Sequence, residues 1–295
     1  MKLKLPPLQA LRHFECAARL GSFKAAAEEL NVTQGAVSQQ IRELEQYFGK
    51  KLFVRQLRKV ALTTEGRELS DVDSSSFSDI SAICRQISYG DEDGGIRIEL
   101  GTFFSSRWLS PRIGEFIRLH PSIQPQLVHR IHVLSNEADV DIAIQYGTGK
   151  WRSFESHKLM NLHFQPVAKP EVAAAIKQAA SWPSESMPLI HARSRSDWEL
   201  WLETAGLPVD WASSGIVFDD TNVALEAAAS GAGIALGFFP LIDEDIRSGR
   251  LAIVSPHSVQ SPLAYYALVR PASKSIRSVR KFLTWLTEVC TDGTE

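Results

Sequence analysis

Residues 22–66 read SFKAAAEELNVTQGAVSQQIRELEQYFGKKLFVRQLRKVALTTEG. Phe23, Ala26, Ala27 and Leu30 recur at i, i+3, i+4 and i+7, the period of a short amphipathic helix. Ser22 is suited to cap its start, and Asn31 suits the left-handed residue that follows such a helix. Thr33 offers a second N-cap. Beyond it Val37, Ile41, Leu44 and Phe48 form an apolar stripe, and Gly49 closes the helix. Upstream, Leu8, Leu11, Phe14 and Ala18 share one helical face that Gly21 ends. Downstream, Arg55, Arg58 and Lys59 alternate with Val54, Leu57, Val60 and Leu62, as in a small hairpin with cations at its tip.

The face opposite the second stripe carries Gln34, Gly35, Ser38, Gln39 and Arg42, and with the cap residues Ser22 and Thr33 these are candidate DNA contacts. Glutamine can pair with adenine and arginine with guanine along base edges. Gly35 permits close backbone approach, and free N–H groups at a helix start favour phosphate. A recognition helix in the major groove uses its first turns in this way, and cations on a hairpin tip grip phosphate with salt-dependent affinity. Taken singly, each residue also fits a solvated polar face. Their order makes an all-α-type winged helix-turn-helix head the better reading.

Charge supports it. Residues 1–67 carry 12 Lys+Arg against 6 Asp+Glu, a net of +6, while the remainder carries 20 against 28, a net of −8. A basic head on an acidic body suits a polyanion-binding module joined to a part with another task. Cys16, Cys84 and Cys290 are far apart, odd in number and without metal spacing, so they read as small apolar residues in a reducing cytoplasm. The opening MKLKLPPLQALRHFE is unlike a signal peptide, and no stretch reaches the ~18 apolar residues of a membrane span. The expectation is a cytoplasmic protein without membrane or cofactor.

The stretch LQALRHFECAARLGSFKAAAEELNVTQGAVSQQIRELEQYFGKKLFVR, followed by LTTEG, resembles the DNA-binding head of LysR-type transcriptional regulators. Gly35, where many members have proline, and the opening LPPLQALRHFE resemble the branch that regulates glycine cleavage and β-lactamase expression. The resemblance implies that Gln34, Gly35, Ser38 and Arg42 lie near the major groove and Arg55 on the wing. It implies a long linker helix that pairs with its mate across a dimer. Thr63 or Thr64 would cap that helix, and Phe77, Ile80, Cys84 and Ile87 have a coiled-coil-like spacing. Asp71, Asp73 and Ser74 to Ser76 depart from an interface pattern. The expected domains are a head over 1–63, a linker over 64–90 and an effector-binding domain over 91–295, with a hinge-like stretch at 91–95.

From Ile96 onward strands alternate with helices, which argues α/β subdomains with largely parallel sheets. Strands are expected at Ile96–Leu100, Gln124–Val128, Val140–Gln145, Pro166–Lys169, Pro188–His191, Gly215–Phe218, Ala232–Phe239 and Leu251–Val254. Ser196 and Glu199 match a capping box. The stretches GTFFSSRWLSPRIGEFIRLHPSI, DVDIAIQYGTGKW and FDDTNVALEAAASGAGIAL resemble the effector-binding half of the same family. This implies two lobes like a periplasmic binding protein: about 91–163 with 264–295, and about 164–263. Their crossovers are placed near Leu162–Pro166 and Gln260–Tyr265. Ligands in α/β lobes lie beyond the C-terminal strand ends. Thr102, Ser105 and Ser106 sit at one such end, Tyr146 and Thr148 at another, Asp220 and Thr221 at a third, and Tyr265 and Tyr266 at the return crossover. In the resembled branch, positions matching Thr102, Thr221 and Tyr265 lie in or near the effector cleft. His129, Arg130 and His132 suit either a cleft wall that favours an anion or a solvated loop, and they lack the partners of a metal site.

The expected function is a sequence-specific DNA-binding regulator whose two-lobed domain binds a small-molecule effector. Its partners would be double-stranded DNA with an interrupted dyad, a second copy or three, and RNA polymerase. The alternative is a DNA-binding regulator or architectural protein without a small ligand. An enzyme is disfavoured, because no GxSxG, GxxxxGK[ST], HExxH or GxGxxG occurs.

Overall fold

The computed structural model describes residues 5–55, 60–70, 76–77, 80, 84, 95–129, 140–151, 154–179 and 188–292. Arg58, Lys59, Asp71, Asp73, Ser74, Ile87, Arg130 and His132 lie outside them, as does most of the expected linker and hinge. The chain divides into an N-terminal head and an α/β body.

The head begins with helix α1 (Leu8–Leu20), ended by Gly21 at φ 59. Ser22 is extended, and its hydroxyl accepts the Ala25 N–H at 3.2 Å to start α2 (Phe23–Glu29). Asn31 takes φ 54, and Thr33 accepts the Ala36 N–H at 3.2 Å to start α3 (Gln34–Phe48). Gly49, at φ 63, ends it. Such caps satisfy the N–H groups that a helix start leaves free and contribute about 1 kcal/mol each. The three helices bury Ala10, Phe14, Ala17, Ala26, Ala27, Val37, Ile41 and Leu44 together with Leu52 and Phe53. Phe53 packs against Phe14 and Phe23 at ring separations of 5.3 and 5.1 Å.

Two members of the expected stripes are outside this core. Leu8 is 63% exposed and Phe48 41% exposed. Each lies in a terminal turn of its helix, and Phe48 packs edge-on against Tyr47 at 5.2 Å. Glu45 takes the inward position one residue after Leu44. Its carboxylate accepts the Leu52 and Phe53 N–H groups at 3.0 and 3.4 Å and pairs with Lys51 at 2.6 Å. That fixes the start of strand β1 (Phe53–Arg55), which pairs antiparallel with β2 (Val60–Leu62). Thr63 then caps a helical run over 64–70 by accepting the Gly66 N–H at 2.9 Å. A side chain at Gly66 would place Cβ 2.1 Å from the Leu52 carbonyl oxygen, so glycine is required there. Of the expected linker seam, Phe77 is half-buried, and Ile80 and Cys84 are exposed.

The body is built on one mixed sheet of nine strands. Its order is β4 (Pro125–His129), β3 (Ile96–Leu100), β5 (Ile142–Gly147), β11 (Val259–Val269), β6 (Glu155–Ala168), β9 (Ile234–Phe239), β7 (Leu189–Ala192) and β8 (Ile216–Phe218), with β10 (Ala252–Ile253) on β6. The outer groups β4-β3-β5 and β9-β7-β8 are parallel, whereas β6 and β11 run antiparallel to their neighbours. The expected largely parallel sheets therefore hold only for the outer groups. Residues 162–166 and 260–265, expected as crossovers, lie inside the two long central strands. β6 pairs with β11 from Glu155 to Phe164 and with β9 from His163 to Val167. Changing partners along one strand passes the chain between lobes without a separate linker.

Helices α4 (Ile113–Leu119), α5 (Pro170–Ala179), α6 (Ser196–Thr204), α7 (Thr221–Ala229), α8 (Asp243–Arg247) and α9 (Arg277–Asp292) accompany this sheet. Trp198, Trp201, Phe104, Phe116, Phe164 and Phe282 are its largest fully buried core side chains. The expected capping box at Ser196 does not form. Arg195 is the cap residue, Ser196 is already helical, and its hydroxyl pairs with Ser194 at 2.7 Å. No helix among the described residues is long and apolar enough to cross a membrane.

Candidate functional site

α3 presents the polar face read from the sequence. Gln34, Gly35, Gln39 and Arg42 are exposed and Ser38 is half-buried. At about 100° per residue these five cover an arc of roughly 140°, opposite Val37, Ile41 and Leu44. Arg42 donates to the Gln39 side-chain oxygen at 2.8 Å, and the Gln39 amide donates to Glu43 at 3.1 Å. The guanidinium is thus held along the helix before any partner arrives. Ser22 and Thr33 are caps, so both hydroxyls serve the backbone. Arg55 is the last residue of β1.

In the body, groups far apart in sequence converge between the two lobes. β3 ends at Leu100, Gly101 follows, and Thr102 begins a single α-helical turn that widens into a π-helical one over Ser105–Leu109. The Thr102 hydroxyl donates to Asp220 at 2.5 Å, and Asp220 also accepts the Asn222 N–H at 2.7 Å to cap α7. The Ser106 hydroxyl donates to the Asn222 side chain at 3.1 Å. Ser105 is buried and hydrogen-bonds with His129 Nε2 at 2.8 Å, which places His129 in this cluster. Tyr146 shares a 2.5 Å hydrogen bond with Ser261 and packs 5.1 Å from Tyr265. Tyr265 lies 4.7 Å from Phe104, and its hydroxyl makes no hydrogen bond among the described residues. Burial pushes both phenols up, Tyr146 to about 12, so both are neutral hydrogen-bonding groups. Thr148 is exposed in the turn after β5, and Thr221 is the half-buried first residue of α7. No side-chain hydrogen bond joins either to this cluster among the described residues.

Arg107, Asn222, Glu226, Asp245 and Arg250 were not legible as a unit in the sequence. Arg107, 16% exposed, donates to Asp245 at 2.5 Å, to Asn222 at 3.1 Å and to Glu226 at 3.4 Å. Arg250 meets Glu226 at 2.7 Å and Asp245 at 3.4 Å. Two guanidinium and two carboxylate groups therefore balance where the lobes meet. Asp197 and Ser194, just beyond the C-terminal end of β7, line a small pocket with Ala192, Ala224 and Leu236 and also escaped the reading. Periodicity could not find them, but a search of every strand end for short polar residues would have.

The arrangement can bind rather than transform. An exposed polar helix face that carries Arg42 and a separate polar cluster where the lobes meet match a reader of DNA that also takes a small molecule. Residues 8–67 match the bacterial regulatory helix-turn-helix model of the lysR family, and residues 90–291 match the LysR substrate binding domain. The chain is 33% identical over 293 residues to the glycine cleavage system transcriptional activator of Escherichia coli (strain K12), covering 97% of this chain and 94% of that one. It is likewise 33% identical over 287 residues to the HTH-type transcriptional activator AmpR of Rhodobacter capsulatus, covering 95% and 96%. The crystal structure of ArgP from Mycobacterium tuberculosis shares the fold at a TM-score of 0.68 and 20% identity, covering 98% of each chain. The chain belongs to the LysR family of transcriptional regulators, which are not enzymes, and joins a helix-turn-helix DNA-binding head to a two-lobed effector-binding domain.

Proposed function

We propose that this regulator reads an interrupted-dyad operator as a homodimer or homotetramer and alters promoter binding or bending when a small molecule enters its cleft. The proposed divisions are a head over 1–63, a linker over 64–90 and the effector-binding domain over 91–295. Gln34, Gly35, Ser38, Gln39 and Arg42 meet bases, while Arg55, Arg58 and Lys59 meet phosphate or the minor groove. Thr102, Ser105, Ser106, Tyr146, Asp220, Thr221 and Tyr265 surround the effector, with Thr148 at its margin. The observation that carries the effector reading is the meeting of Thr102 with Asp220, 118 residues away, beside two buried phenols. A ligand inserted there exchanges contacts with both lobes and so shifts their equilibrium.

Both edges of the sheet support self-association. Ile216 and Val217 on β8 and Val223 on α7 are exposed, as are Ile117 and Leu119 on α4 beside edge strand β4. The two relatives are named activators, which favours activation here, with RNA polymerase as the further partner. The reading without a ligand draws on the same Thr102–Asp220 bond, because that bond already joins the lobes directly.

The test is a mobility shift on a duplex from the upstream region of the gene, with salt varied. Arg42→Ala should relax selectivity at one position by about 1–3 kcal/mol. Arg55→Ala should weaken all sequences alike and lower the salt slope by about one. Absence of any low-salt shift refutes the DNA reading. Thr102→Val and Tyr146→Phe should keep DNA binding and lose the effector response, and an unchanged response in both refutes the cleft assignment.

A further inference from the structure

We propose that the cleft selects a ligand bearing a protonated amine, which the Asp197 carboxylate receives; this rests on the effector reading above. β7 ends at Ala192, and Arg193 turns the chain at φ 64, its N–H donating to the Phe218 carbonyl at 2.6 Å. The turn brings Ser194 and Asp197 to a pocket walled by Ile190, Ala192, Trp198, Ala224, Leu236 and Phe238. Its interior holds one group about the size of a water or an ammonium. Among the described residues, Asp197 is the only charged side chain in its lining and makes neither an ion pair nor a hydrogen bond. Neighbouring Arg195 does not pair with it; that guanidinium donates to the Ala212 carbonyl at 2.8 Å.

Burial raises the Asp197 carboxyl above its ordinary value. An unpaired carboxylate against apolar walls is a costly arrangement that a cation relieves. The pocket narrows the class of that cation. A divalent metal needs several oxygen ligands, and only one carboxylate is present. A planar guanidinium is larger than the space. An ammonium is compact and has three donors, for which the two oxygens of the Asp197 carboxylate and the Ser194 hydroxyl are acceptors. A ligand carboxylate would be repelled, and a ligand hydroxyl would leave the charge uncompensated.

The test follows thermal unfolding of the full-length protein in ethylammonium chloride, against potassium chloride of equal ionic strength and against ethanol. Ethylammonium should raise the melting temperature of the wild type saturably, and ethanol should not. Asp197→Asn should weaken the ethylammonium response at least tenfold. That variant should also melt above the wild type without any probe, because a carboxyl with a raised folded pKa costs stability once pH exceeds that pKa. The higher melting temperature also shows that the variant folds. An equal ethylammonium response in Asp197→Asn, or no response beyond potassium chloride in the wild type, overturns the inference. A neutral or anionic metabolite whose response survives Asp197→Asn but is lost in Thr102→Val overturns the amine class and leaves the effector cleft standing. An Asp197-dependent ethylammonium shift, with every promoter response intact in Thr102→Val and Tyr146→Phe, upholds the amine site and overturns the effector reading.

Discussion

Arg107→Ala should be among the most destabilising single changes in the body. Its guanidinium is 16% exposed and faces Asp245, which is 4% exposed, at 2.5 Å. Removing one member of a buried pair typically costs about 3–5 kcal/mol, because the other charge stays buried without compensation. Here Arg250 remains 3.4 Å from Asp245, which places the loss at the lower end, about 3 kcal/mol. For a domain of this size that is a fall of about 6–12 °C in melting temperature. Every tryptophan of the chain lies at or beyond position 108, so tryptophan fluorescence during urea denaturation follows the body and not the head. The companion variant Asp245→Asn and the double variant close a cycle. Because the two side chains touch, the double variant should lose about 1–3 kcal/mol less than the sum of the single losses. A loss below about 1 kcal/mol for Arg107→Ala, or additivity within about 0.5 kcal/mol, would show that the contact does not hold the lobes as described.

Glu45→Gln should destabilise the head by about 1–3 kcal/mol, because its carboxylate serves two backbone N–H groups at the start of the wing. DNA affinity should fall for specific and nonspecific sequences alike; a selective loss at one base would contradict a purely supporting role. His191 supplies a pH prediction. It is fully buried, and its Nε2–H donates to the Ser214 carbonyl at 2.7 Å while Nδ1 has no partner among the described residues. Burial lowers its pKa below 6.5, so the folded state binds fewer protons than the unfolded one. The stability it contributes is present above about pH 6.5 and is lost as pH falls through the folded value. Melting of the body between pH 7.5 and 5 should therefore drop more in the wild type than in His191→Gln, and parallel curves would refute the assignment.

The head was more legible than the body because its determinants are local. Ser22, Thr33, Asn31 and Gly49 act on residues within one helical turn, and each does in the structure what its type and position dictate. The wider stripe was less exact. Leu8 and Phe48 fit the period, but a period does not say where a helix parts from its neighbours. In the body, strand ends singled out Thr102 and Asp220 one at a time, without showing that they meet. Their bond spans 118 residues, and only the central strands β6 and β11 bring the two ends together. The same distance hid Arg107 and Asp245, which look in sequence like ordinary surface charges. Ser196 and Glu199 show the opposite error: the right spacing for a capping box, one residue too far into the helix. The two long strands were read as ends and crossovers because their middle sections alternate weakly, and their pairing depends on the parallel groups on either side.

The cleft separates two tasks that one set of charges could not perform together. Arg107 and Arg250 are matched by Asp245 and Glu226, so that part of the lobe contact is neutral and offers a ligand little to gain. Asp197 and the Tyr265 hydroxyl are left without partners among the described residues, so a ligand that satisfies them gains free energy that folding left unclaimed. Between these stands the Thr102–Asp220 bond, a contact that a ligand can replace without unbalancing the ion network. On the proposed effector reading, affinity depends on Asp197 and Tyr265, and the change passed between lobes depends on Thr102. Substitution at Asp197 should therefore raise the effector concentration needed for half response while leaving the full response attainable. Substitution at Thr102 should reduce the full response even when the cleft is saturated.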